Sequence, residues 1–83
     1  MYNYLVEKPK IFTEQGQEEF IKVRDRAKRL LNEAGASKMF SALEDVSGDV
    51  WTMMAYVDRL VELGEIREIT NGNVSGQDRV FVA

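Results

Sequence analysis

The chain has 83 residues, 45% hydrophobic and 30% charged, with a formal net charge of −3. That length fits one small domain around one core. It contains neither cysteine nor histidine. This excludes disulfides, thiolate metal sites and thiol nucleophiles, and it removes the commonest metal ligand and the commonest general base at neutral pH.

Other exclusions follow from the order of the residues. No loop has the spacing of calcium ligands, so no metal and no cofactor is expected. No glycine-rich phosphate loop is present, and Ser41 and Ser47 have no partner base in the pattern. The reading is therefore a non-enzyme with no catalytic residues. The opening MYNYLVEKPK lacks the long apolar core of a signal peptide, and no run reaches the length of a membrane span. A cytoplasmic protein with no membrane partner is expected. The acidic balance weighs against a dedicated DNA-binding domain, because neutralising phosphates supplies most of such a domain's affinity.

Residues 1–12 read as a leader, ordered at most in part, ahead of a domain spanning 13–83. Tyr2, Tyr4 and Val6 alternate as in a short strand, and one or two of the aromatics could pack on the domain. Pro9 then ends any regular element. Thr13 is suited to cap a first helix, with Glu14 in its first turn. That helix runs to about Ala34, with Gly35 following it. Phe20, Val23, Ala27, Leu30, Leu31 and Ala34 recur at steps of three and four and form one apolar stripe. Lys22, Arg26 and Arg29 flank the stripe on one side, Arg24 and Lys28 on the other. This is the basic concentration of the chain. It reads either as a solvated face whose side chains snorkel over the core edge or as a phosphate-contacting surface.

Ser37 can cap a second helix, and Ser41 with Glu44 also fits a capping box. Met39, Phe40, Leu43 and Val46 supply the apolar residues of this helix. The turn Ser47–Gly48–Asp49 leads to a third helix, from about Asp49 to Leu63. On it Val50, Met54, Val57 and Val61 align, with Met53 and Leu60 beside them. Thr52, Ala55, Tyr56 and Arg59 then fall on the outward face, with Trp51 at the border. Gly64 ends the helix. GEIREI and DRVFVA read as two strands, with Ile66, Ile69, Val80 and Val82 as apolar positions and Ile66 turned inward. TNGNVSGQ between them has the chemistry of an exposed, mobile loop. Leu30, Leu43, Met54, Val57, Leu60 and Ile66 are expected to be buried together.

A helix-turn-helix followed directly by a hairpin is a winged helix. The fold class expected is α+β, a three-helix winged helix-turn-helix with a C-terminal β-hairpin wing. The segment YVDRLVELGEIREI followed by DRVFVA resembles the recognition-helix end and wing of winged-helix transcription regulators of the multiple-antibiotic-resistance repressor (MarR) type. Asp58, Arg59, Leu60, Gly64, Asp78 and Arg79 carry the resemblance, which covers the C-terminal half from Ser41 onward. Three features depart from that type. No dimer-building helices follow the wing before Ala83, the wing holds one arginine, and Asp49, Asp58 and Glu62 surround the single cation of the outward face.

Two functions compete. In the first, the resemblance implies duplex DNA as partner. Thr52, Tyr56 and Arg59 touch bases or phosphates, Arg79 with Asn71 and Asn73 serves the wing, and Lys22, Arg26 and Arg29 contact the backbone. One base-reading arginine discriminates by only about 1–3 kcal/mol, so a homodimer, further phosphate contacts or modest affinity is implied. In the second, the frame is a protein-interaction module that uses Trp51, Ala55 and Tyr56 as an aromatic anchor.

Overall fold

The computed structural model describes residues 1–43, 48–70 and 78–83. It is an α+β domain with a three-stranded antiparallel sheet of order β1-β3-β2. The chain opens on helix α1 (Tyr4–Glu7), capped by the side chain of Asn3, which accepts a hydrogen bond from the Leu5 amide at 3.0 Å. A 3-10 helix (Lys8–Phe12) follows, with Pro9 in its first turn, where the missing N–H costs no hydrogen bond. The first twelve residues, read as a leader, thus contain two helical turns. Fully buried Ile11 ties them to the core.

Helix α2 (Glu14–Ala34) begins and ends as expected. The Thr13 side chain accepts from the Gly16 amide at 3.0 Å. Gly35 adopts a φ of 81° and donates its amide to Leu31 O, a left-handed cap that suits glycine. Phe20, Val23, Ala27 and Leu31 are buried along the stripe, but Leu30 is only half-buried. It does not join the core cluster as expected, because it sits at the stripe's edge.

Strand β1 (Ala36–Lys38) was not foreseen; three residues are too few to show an alternating pattern. It pairs with β3 (Val80–Val82), Ser37 opposite Phe81. Ser37 is therefore not a helix cap: its hydroxyl donates to Lys38 O. Helix α3 (Met39–Ala42) instead satisfies its first amide by donating from Met39 to Arg79 O at 2.8 Å. Ser41 lies inside α3 rather than at its start, and Glu44 and Val46 fall outside the described residues. Met39 and Leu43 are buried.

Helix α4 (Val50–Glu62) is capped by Asp49. Strand β2 (Arg67–Glu68) pairs with β3 as the expected hairpin, Arg67 opposite Val82 and Glu68 opposite Phe81. Ile66 is buried as expected, but the inward residue of β3 is Phe81, with Val80 and Val82 half-buried beside it. Ile69 is exposed. The loop expected at 70–77 lies outside the described residues apart from Thr70. Met54, Val57, Leu60, Ile66 and Leu43 join one core with Ile11, Phe20 and Phe81. No described helix is long and apolar enough to cross a membrane.

Candidate interaction surface

Helix α4 is enclosed on more sides than its binary pattern indicates. Met54, Val57 and Leu60 face the core, yet Ala55 and Tyr56, expected to point outward, are 0% and 4% exposed. The helix is packed from more than one side: α1 and the 3-10 helix lie against it as well as α2, whose first turns stand beside Tyr56. Burial also pushes the Tyr56 phenol up from its ordinary value. The sequence did contain a signal: VWTMMAYV is apolar almost all the way round, and such a helix is buried on more than one face.

The polar side chains of α4 are engaged by the rest of the chain. Tyr2 donates its hydroxyl to Asp58 at 2.5 Å, and Tyr4 donates to Glu62 at 2.8 Å. Lys8 forms an ion pair with Glu62 at 2.9 Å. Arg59, read as the base-reading cation, donates to Glu62 at 2.6 Å, and its guanidinium lies over the Phe12 ring, 5.2 Å from the centroid. The hydrogen bonds from Lys8, Arg59 and Tyr4 hold the Glu62 carboxyl down at about 2. Burial, reinforced by the bond to Glu62, pushes the Tyr4 phenol up to about 12.

Arg79 is not a free wing residue. Its guanidinium donates to Asp58 at 2.7 and 3.2 Å and to Glu68 at 2.8 and 2.9 Å, and it lies over the Phe81 ring at 5.3 Å. Thr70 donates to the same Glu68 carboxylate. The arginine lowers the Glu68 carboxyl, and the two carboxylates raise the guanidinium further. One side chain thus ties β3 to β2 and to α4. Asn71 and Asn73 lie outside the described residues.

The cations of α2 are dispersed. Arg26 donates from Nε to Ser41 O at 2.7 Å, so it braces α3. Lys22 approaches Glu19 at 3.6 Å, Arg24 pairs with its neighbour Asp25, and Lys28 reaches Glu65 at 2.7 Å. Arg29 is exposed.

The apolar side chains that stay open on α4 are at its N-terminal end. Val50 and Trp51 are 47% and 42% exposed. Asp49 accepts from the Trp51 amide and from the Thr52 hydroxyl, each at 3.2 Å, and Lys10 stands 3.6 Å away. The backbone bond lowers the Asp49 carboxyl. Beside this end is an open cleft of about 300 Å³, lined by Lys10, Thr13, Glu19, Thr52, Met53 and Tyr56. Its lining mixes apolar surface with both signs of charge. Among the described residues, no group of histidine, cysteine or carboxylate side chains is arranged to hold a metal ion.

Sequence reasoning singled out Trp51 but not Tyr2, Lys8, Asp58 or Glu62 as a set. Their contacts join residues more than fifty positions apart, and no local periodicity encodes that. Comparison with protein-family models, with curated proteins and with solved structures finds no match to this chain.

Proposed function

We propose that this chain is a protein-interaction module of winged-helix-turn-helix architecture that docks its partner at the N-terminal end of α4. The helix pair α3–α4 followed by the β2–β3 hairpin supports the architecture. The observation carrying the function is the state of the α4 face that a recognition helix would insert into a groove. That face holds the chain's own N-terminal segment, and Arg59 and Arg79 are paired with internal carboxylates. Trp51 and Val50 remain exposed beside the cleft. Exposed tryptophan next to a concave, mixed-polarity surface has the composition of an interface anchor.

The competing reading, a transcription-regulator-like DNA binder, draws its support from exposed Lys22 and Arg29 on α2. The deciding experiment is a titration with nonspecific duplex DNA at low salt. Nonspecific binders have Kd values of about 10⁻⁴–10⁻⁶ M even at physiological salt. No association at about 100 μM protein is expected. Association whose salt slope falls by about two in the Lys22→Ala/Arg29→Ala variant would establish phosphate contacts and end the interaction reading.

A further inference from the structure

Trp51, Ala55, Asp58 and Glu62 follow one another at steps of four, three and four, so they form one stripe along α4. Trp51 is open. The other three are engaged: Ala55 has no exposed surface, Asp58 accepts from Tyr2, and Glu62, though exposed, accepts from Tyr4 and Lys8. The same stripe is thus open at its Trp51 end and engaged in cis at Asp58 and Glu62.

The occupying segment is attached unevenly. From Lys10 onward it is locked. Ile11 is fully buried, and a Cβ on Gly16 would stand 2.2 Å from Lys10 O and 2.7 Å from Ile11 O, so the 3-10 helix lies flush on α2. Before Pro9 the hold is different. Leu5 and Val6 face solvent at 74% and 65% exposure, Tyr2 and Tyr4 are half-buried, and Glu7 is the one buried residue. This part is held by the Tyr2 and Tyr4 rings packed at the edge of the core and by side-chain hydrogen bonds to Asp58 and Glu62, those to Glu62 being exposed. Exposed polar contacts of this kind are individually weak.

We infer that residues 1–8 are a removable occupant of the α4 stripe, and that a partner docking at Trp51 extends along Ala55, Asp58 and Glu62 by displacing them. This rests on the interaction reading of Trp51. The partner's chemistry follows from what the stripe holds now. It is a peptide segment presenting phenol hydroxyls or lysine ammonium groups to the Asp58 and Glu62 carboxylates, with apolar contact over Ala55 and Trp51. An acidic segment is repelled by the same two carboxylates. The tethered occupant acts at an effective concentration in the millimolar range, so the partner outcompetes it by adding contact with the exposed surface of Trp51.

The absence of cysteine supplies the assay, since Ala55→Cys introduces a unique thiol on the stripe, between Trp51 and the Asp58 that Tyr2 holds. Its labelling rate in the folded 83-residue chain is compared with that of Val57→Cys, which faces the core. The expected result is labelling at Ala55→Cys at least tenfold faster than at Val57→Cys. Adding Tyr2→Phe, Tyr4→Phe and Lys8→Ala accelerates the former at least another tenfold and leaves the latter unchanged. A synthetic peptide of residues 1–8 at millimolar concentration then slows labelling of that combined variant at least twofold. The same peptide with glutamate at its Tyr and Lys positions does not. Equal rates at the two thiols mean that the segment leaves only on global unfolding, and this overturns the proposal. Failure of the peptide to protect, or equal protection by its acidic form, overturns the partner chemistry. Hydrogen exchange of the Asn3–Glu7 amides against those of α4 makes the same comparison in the unaltered chain. DNA association at low salt would remove the Trp51 reading whatever the labelling shows, so the two failures are separable.

Discussion

Replacing Arg79 by methionine tests whether this side chain is a structural clamp or a surface cation. In the structure it makes four hydrogen bonds to two carboxylates, with its own side chain 15% exposed and those of Asp58 and Glu68 14% and 24%. Exposed pairs contribute about 0.2–1 kcal/mol, whereas breaking a fully buried pair costs about 3–5 kcal/mol. The site lies between these limits, nearer the buried one, so a loss of about 2–4 kcal/mol is expected. Methionine retains most of the packing against Phe81, so the loss reports two carboxylates left without their cation. For a domain of this size that corresponds to a fall in Tm of about 10–25 °C. Equilibrium urea unfolding followed by the fluorescence of Trp51 measures it, with the slope unchanged if the loss is in the native state. Adding Asp58→Asn and Glu68→Gln should restore at least half, because the uncompensated charges are then gone. A fall in Tm below about 3 °C would refute the clamp and return Arg79 to the wing as a free cation.

Gly16→Ala should destabilise by about 1–3 kcal/mol in thermal melts, because the new methyl displaces the backbone of Lys10 and Ile11; were the 3-10 helix not packed there, alanine would stabilise α2 by about 1 kcal/mol. Attachment of residues 1–8 should depend on acidity through Glu62. Its folded value of about 2 is below the ordinary 4.5, so its contribution is complete above pH 4.5 and is lost as pH falls toward 2. Tyrosine and Trp51 signals in an acid titration of the folded chain should shift across that window. An unchanged response in Glu62→Gln would contradict the assignment.

The elements legible from sequence are those set by local chemistry. Thr13 and Gly35 cap where side chain or backbone freedom demands, and the Phe20–Leu31 stripe follows from helical period alone. The β2–β3 hairpin was legible too, though its phase was not: Phe81 turns inward because it faces Ser37 of β1, a strand with no pattern of its own. The outward face of α4 misled for a related reason. Its residues were sorted against one core, while the structure encloses the helix from two sides. Tyr56 and Ala55 went in, and Arg59 and Arg79 were neutralised by Glu62, Asp58 and Glu68; the pattern showed Asp58 and Glu62 only as acids around a cation, and Glu68 not at all. Trp51 stayed at the border, as its position at the open end of the helix dictates.

The sheet order has a consequence for how fast the chain folds. Strand β3 is the shared neighbour of β1 and β2, and its pairing with β1 must close a loop that contains α3, α4 and β2. Helices α2 and α4 can gain hydrogen bonds from residues four apart, on the timescale of local zipping. The β1–β3 ladder must first absorb the entropy of closing that long loop. Loop closure of this kind slows folding, so Phe81→Ala is expected to slow folding in stopped-flow kinetics as well as to destabilise the chain.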